Sequence, residues 1–204
     1  VKPDLIELLN QHASDKHSQN SYGPIYHALF KARRYEAFTL LEIGIGTVTP
    51  GAHSSMYGHD LPGYRPGASL RAWRDYFEHA RIVGFDVQPD TMIVDEPRIE
   101  THLVDSTKTD QVAQVLLPNS ERFRIIIDDG SHLVPHQLAS LRNLWPHLAA
   151  GHGLYIIEDV NRLDLNQPRL GYGECRDELL AILGDNPYFF VSRPKADMLI
   201  VSKL

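Results

Sequence analysis

Two acid clusters, each closing an apolar run, hold the densest chemistry in the chain. Asp128 and Asp129 open Asp128-Asp129-Gly130-Ser131-His132, and Glu158 and Asp159 end Ile156-Ile157-Glu158-Asp159. If both apolar runs are neighbouring parallel strands, their ends lie about 5 Å apart and the acids share one small volume. Carboxylates so confined repel one another unless a proton or a cation intervenes. Mg²⁺, or Mn²⁺, relieves that repulsion through oxygen ligands. Any one of these acids alone reads more simply as a helix cap or a solvated side chain; the set points to a metal. His132, three residues after Asp129, is placed to take a proton from a group held beside them. The chain has 11 histidines, so position rather than residue type singles this one out. His132 and His136 also form an H-x-x-x-H pair. Leu133 stands where a zinc protease carries Glu, Pro135 intervenes, and no cysteine is at hand, so zinc is disfavoured.

A second group of residues suits a nucleoside ligand. Leu41-Glu42-Ile43-Gly44-Ile45-Gly46 ends an apolar run in glycines, which let a turn take positive φ and approach a ligand closely. A G-x-G alone is weak evidence, because ordinary turns contain it. Glu42 sharpens the reading: a carboxylate there can pair with the ammonium of an amino-acid-like ligand and would repel a pyrophosphate. The third glycine of a dinucleotide fingerprint is missing, since Thr47 and Val48 follow. Asp86, ending Ile82-Val83-Gly84-Phe85-Asp86, is placed to accept hydrogen bonds from ribose hydroxyls. Asp105, after the next strand, falls where a group would lie near adenine.

The elements that must position these residues alternate along the chain. Strands are expected at Thr39–Gly44, Arg81–Asp86, Ile99–Val104, Arg124–Asp128 and Leu154–Glu158. Helices are expected at Asp4–Gln11, Ile25–Arg34, Ser69–Phe77, Thr109–Leu117, Pro135–Leu148 and Glu174–Leu183, the last after a polar segment. Tyr188–Ser192 and Met198–Ser202 read as two strands whose short connection, Arg193 to Asp197, makes a hairpin and an antiparallel final strand. The result is an α/β domain with a Rossmann-like, mostly parallel sheet and helices on both faces, the plan of a class I methyltransferase. From Gly46 to Ala68 the chain is rich in Gly, Pro, His and Tyr without periodicity. A loop this long leaving the first strand is expected to cover substrate, the alternative being an inert insertion. Trp73, Tyr76, Phe77 and Trp145 read as core; Tyr22 and Tyr26 either pack on the core or wall the ligand pocket.

Composition narrows the classes. The chain has 204 residues, 43% hydrophobic and 23% charged, enough for one domain, 1–204, with a sizeable core. Within it, 1–36 is a helical N-terminal segment and 47–66 the insertion loop. A net charge of -6 without a basic run argues against a nucleic-acid substrate. No apolar run is long enough to span a bilayer, and no signal peptide opens the chain. The single cysteine, Cys175, excludes an internal disulfide and suits a cytoplasmic setting.

Together these residues resemble the metal-dependent sugar O-methyltransferases of macrolide and anthracycline-type antibiotic tailoring. Cephalosporin-pathway proteins and a mycobacterial methyltransferase of methylmannose oligosaccharides are related. The resemblance runs from Ser14-Asp15-Lys16 and Tyr22/Tyr26 to the final hairpin. Its most specific parts are the Asp128–His132 run, Glu158-Asp159, and Gly67-Ala68-Ser69-Leu70-Arg71-Ala72-Trp73 ahead of Asp86. It implies Mg²⁺ on Asp129, Glu158 and Asp159, and His132 as general base. It also implies S-adenosyl-L-methionine contacted by Glu42, Gly44, Ser69, Asp86, Asp105, Asp128 and Lys16. The acceptor it implies is a sugar or oligosaccharide hydroxyl, and the assembly a homo-oligomer. The chain departs from the pattern where the long insertion interrupts the glycine turn before Gly67. A catechol-type methyltransferase, a nicotinamide dehydrogenase and a silent module of the same fold are the competing readings. The acid cluster has no task in hydride transfer, and a silent module has no need of such clustered charge.

Overall fold

The computed structural model describes residues 2–53, 55–116, 122–160, 175–194 and 196–204. Three short helices open it: α1 (Leu5–Gln11), α2 (Asp15–Ser18) and α3 (Gly23–Phe30). Asp4 and Glu7 close a reciprocal capping box at the start of α1, so the helix begins where its free N–H groups find acceptors. Then come β1 (Thr39–Ile43), α4 (Ala68–Tyr76), β2 (Arg81–Asp86), β3 (Ile99–Leu103), α5 (Thr109–Leu116) and β4 (Ile125–Asp128). The chain continues with α6 (Val134–Leu144), β5 (Gly153–Glu158), α7 (Arg176–Leu183), β6 (Tyr188–Arg193) and β7 (Ala196–Lys203).

These strands form one seven-stranded sheet in the order β3-β2-β1-β4-β5-β7-β6. The first five are parallel, and β7 lies antiparallel to both β5 and β6, as the hairpin pattern required. Alternate strand residues feed two cores. Leu40, Ile82, Ile125 and Ile156 pack with α1, α3 and α4, while Leu41, Val83, Ile126 and Tyr155 pack with α6 and α7 on the other face. Burial on both faces is why the strands read as near-continuous apolar runs. Chain direction across the sheet reverses between β1 and β4, and that crevice at the strand C-termini is where ligands bind in this architecture.

Several boundaries differ from expectation, each for a local reason. The helix expected over Pro135–Leu148 is α6, starting at Val134. It stops at Leu144 and gives way to a 3₁₀ turn at Trp145–His147. Pro146 cannot donate to a helical hydrogen bond and crowds the preceding turn. Trp145, expected in the core, is half-buried, with the Lys203 ammonium over its ring. The helix expected from Ile25 begins at Gly23 with Pro24 in its first turn, then tightens to 3₁₀ at Lys31–Arg33. The final hairpin is longer than expected, its backbone pairing running out to Arg193 opposite Ala196. The expected helix ends at Leu117 and Glu174, the polar segment over 161–174, Ser54 in the insertion and Lys195 in the hairpin lie outside the described residues.

Gly44, immediately after β1, is left-handed at φ 84°, and a Cβ there would lie 2.1 Å from the Asp129 carbonyl oxygen. Neither the backbone conformation nor the space admits a side chain. Gly44→Ala is therefore expected to lose about 3 kcal/mol or more of unfolding free energy in urea titration. A loss below about 1 kcal/mol would show that the β1 and β4 termini yield to each other easily.

Candidate active site

The C-terminal ends of β1, β2, β4 and β5 border a cavity of about 590 Å³. Among the residues singled out from the sequence, Lys16, Gly44, Ser69, Asp86, Asp105, Asp128, Asp129, His132 and Asp159 all line it. Glu42 and Glu158 lie behind its wall, 0% and 1% exposed.

On the β1–β2 side the backbone is shaped for a ligand. Asp86 accepts hydrogen bonds from the amides of Ile45 (2.7 Å) and Gln88 (2.9 Å), which tie the glycine turn to the tip of β2. Burial raises the Asp86 carboxyl above its usual range against those bonds. Ser69 enters from the first turn of α4, whose start at Gly67 is left-handed. Asp105 accepts from the Thr107 amide and hydroxyl at 3.0 and 2.6 Å. The insertion loop forms the opposite wall with His53, Ser55, Met56, His59 and Tyr64. It is anchored by His53 Nε2 on the Ser131 carbonyl (2.8 Å) and by the Tyr64 hydroxyl donating to the Gly46 carbonyl (2.7 Å).

The β4–β5 side is dominated by charge. Lys16 is 2% exposed, and its Nζ lies 2.5 Å from Asp129 Oδ2, 2.7 Å from Glu158 Oε1 and 3.3 Å from Glu42 Oε1. Burial works against the ammonium, but Asp129, Glu158 and Glu42 outweigh it and hold the Lys16 pKa well above the ordinary lysine value. Burial, with the charge of Asp129 adding to it, pushes Glu158 well up against the pull of Lys16. Burial likewise raises Asp129 and Glu42, again opposed by Lys16. Aromatic residues complete the partners. The Trp73 indole donates to Glu42 Oε2 at 2.8 Å, Tyr26 donates to Glu158, and Tyr22 donates to Asp159 Oδ1 at 2.7 Å. The rings of Tyr22 and Tyr26 are fully buried in the core and neither lines the cavity, so the core reading holds, with their hydroxyls supporting the acids from behind.

Asp129, His132 and Asp159 each offer one ligand atom, and these atoms lie within 4.8 Å of one another. His132 Nδ1 is 3.3 Å from Asp159 Oδ2. Both residues are left-handed, at φ 55° and 52°, a conformational cost that non-glycine residues rarely bear. Two carboxylates with a third behind suit a hard divalent ion, and the imidazole lies beside them. One ammonium among three contacting carboxylates also leaves the cluster short of positive charge. Glu158 stands apart from the trio in the hands of Lys16 and Tyr26. The hydroxyls of Tyr22 and Tyr26 were not foreseen as polar partners; their i, i+4 spacing, which puts both on one helix face, was the available signal. Gln137, whose amide donates to the Glu158 carbonyl at 3.0 Å, carried no sequence signal.

The fold and this cleft define a class: the chain has the class I methyltransferase fold, which it shares at 16% identity and TM-score 0.55 with human methyltransferase-like protein 13. Within that class its homologues are sugar O-methyltransferases. Demethylmacrocin O-methyltransferase of Streptomyces fradiae is 36% identical over 161 residues, 78% of this chain and 37% of that protein. Mycinamicin VI 2''-O-methyltransferase of Micromonospora griseorubida is 36% identical over 163 residues, 78% of this chain and 36% of that protein. The solved MycE methyltransferase of the mycinamycin pathway, in complex with Mg and SAH, superposes with TM-score 0.74 at 28% identity. That match covers 100% of this chain and 55% of the other. The chain thus spans little more than a third of the length of the curated relatives it matches. No protein-family model matches it. Among the described residues, no helix is long and apolar enough to cross a membrane.

Asp128 gives the site a pH signature. It is 2% exposed, and burial pushes its carboxyl up to about 7 against a hydrogen bond from the Gly130 amide. Below about pH 4 the group is protonated in both the folded and unfolded chain. Between about 4 and about 7 the unfolded chain releases the proton while the folded chain retains it, so stability falls across that window and levels above it. Asp128→Asn is expected to melt above the wild type, with the gap opening from pH 4 to pH 7. A gap independent of pH in thermal unfolding would contradict this origin.

Proposed function

We propose that this chain is the catalytic domain of an S-adenosyl-L-methionine-dependent O-methyltransferase acting on a hydroxyl of a sugar or glycosylated small molecule. The observation that carries the reading is the single cavity joining the Gly44–Asp86 turn to the Asp129, His132 and Asp159 trio. Its support includes the 36% identity to two sugar O-methyltransferases and the likeness to MycE in complex with Mg, SAH and Mycinamycin VI.

In this reading Lys16, Ser69 and the Gly44 turn border the amino-acid end of the cofactor site, and Glu42 acts from behind the wall through Lys16. Asp86 takes the ribose, and Asp105 and Asp128 lie towards the base. The bound cofactor supplies a methyl group already activated by its sulfonium. Asp129 and Asp159, with Glu158 behind, are the residues that would hold Mg²⁺ or Mn²⁺, which lowers the pKa of an acceptor hydroxyl when bound. His132 takes the proton of that hydroxyl as its oxygen forms the new bond to carbon. The carbon–sulfur bond breaks and its electrons return to sulfur. Asp159, beside His132 Nδ1, orients the ring and compensates the imidazolium. The protein's remaining task is to hold acceptor oxygen and methyl carbon in line without water between them. The loop over 47–66 is the lid that does so, and this reading carries a cytoplasmic, homo-oligomeric enzyme with one methyltransferase domain.

Calorimetry with S-adenosylhomocysteine, with and without Mg²⁺, tests the cofactor class, with NAD as control; binding of NAD alone would sink the proposal. With a deoxysugar glycoside as acceptor, His132→Ala is expected to lower methyl transfer by about 10² to 10⁴-fold. Its S-adenosylhomocysteine affinity should stay within about threefold of the wild type. A folded variant that loses both together would remove His132 from the proton-transfer role.

A further inference from the structure

The acid cluster already contains a cation. Ser14 caps the single turn of α2, its hydroxyl accepting from the Lys16 amide, and that turn sends the Lys16 side chain into the wall of the cavity. The ammonium has three protons, and it meets three carboxylates, those of Asp129, Glu158 and Glu42. Asp129 belongs to two sets at once. It holds Lys16 through Oδ2 at 2.5 Å, and it completes the trio with His132 and Asp159. A divalent ion seated on Asp129 and Asp159 would draw on charge the ammonium is using, and would stand within a few ångströms of a like charge that cannot retreat to water.

We propose that Lys16 is a resident counter-ion that competes with the divalent metal for Asp129 and Glu158. The metal loads by exchange against the ammonium, not into an empty acid cluster. Lys16 keeps the buried carboxylates compensated while the metal is away, and it holds metal affinity below what the acids alone would give. This rests on the metal reading of the site, and the measurements below separate the two.

The variant is Lys16→Met, which keeps length and removes charge. Mn²⁺ and Mg²⁺ binding are measured by calorimetry without cofactor, and thermal unfolding is followed with and without Mn²⁺. Metal-free Lys16→Met is expected to melt below the wild type, to bind Mn²⁺ about tenfold tighter or more, and to gain more in melting temperature from saturating Mn²⁺. Equal or weaker Mn²⁺ binding by the folded variant overturns the competition while leaving the metal site standing. Absence of binding by both proteins overturns the metal site, and the competition with it. Should the variant not fold, the wild type decides the matter by ¹⁵N-lysine NMR. Saturating Mg²⁺ is expected to shift the Nζ resonance of the buried ammonium, and an unmoved resonance overturns the exchange.

Discussion

The structure turns on one electrostatic constraint: carboxylates at the ends of β1, β4 and β5, two of them buried and one facing the cavity, converge, and something positive must stand among them. Glu42, Asp129 and Glu158 sit at three strand ends drawn close by parallel pairing, and the Lys16 ammonium contacts all three. Charges taken from water are tolerated only when paired and hydrogen-bonded. Much of the N-terminal segment serves that requirement. The rings of Tyr26, Phe30 and Trp73 pack together, with centroids 5.1 Å apart for Tyr26–Trp73 and 5.2 Å for Tyr26–Phe30. The apolar bodies fix α3 and α4 against the sheet, and the polar tips of Tyr26 and Trp73 complete the hydrogen bonding of Glu158 and Glu42.

The same strand ends concentrate conformational strain. Gly44 and Gly46 are left-handed at the end of β1, His132 after β4 and Asp159 after β5. In the glycines this conformation carries no steric cost, and it lets Asp129 pass close to Gly44 and the Tyr64 hydroxyl close to Gly46. In His132 and Asp159 it is unfavourable, and it is held in place by the packing of rigid strands beneath and by the Tyr22 hydroxyl, which both donates to Asp159 and accepts from its amide. Rigid strands beneath short turns make such a site reproducible from molecule to molecule, which proton transfer and in-line displacement both require.

The strands and most helices were legible because buried parallel strands are short apolar runs and the helices between them are amphipathic. The acids at the strand ends stood out as a set: each alone reads as a cap or a solvated side chain, but several closing neighbouring apolar runs must converge. Short or interrupted elements were not. A single turn such as α2 has no periodicity to detect, and the position of Lys16 depends on it. The end of α6 was misplaced because the apolar pattern runs on through Trp145 and Leu148 while Pro146 breaks the backbone.

By itself, the sequence determined which chemistry is available: acids and a histidine at the ends of apolar runs, a glycine turn without a third glycine, and the order of strands and helices. These follow from local periodicity and residue type, which act over a few residues. Only the tertiary structure decided how the acids are divided. It placed Asp129, His132 and Asp159 together on the cavity and withdrew Glu158 and Glu42 behind the wall, where both contact Lys16, a residue of the wall 142 positions away from Glu158 along the chain. Electrostatic energy depends on distance through space and on exclusion of water, and neither is written in residue spacing.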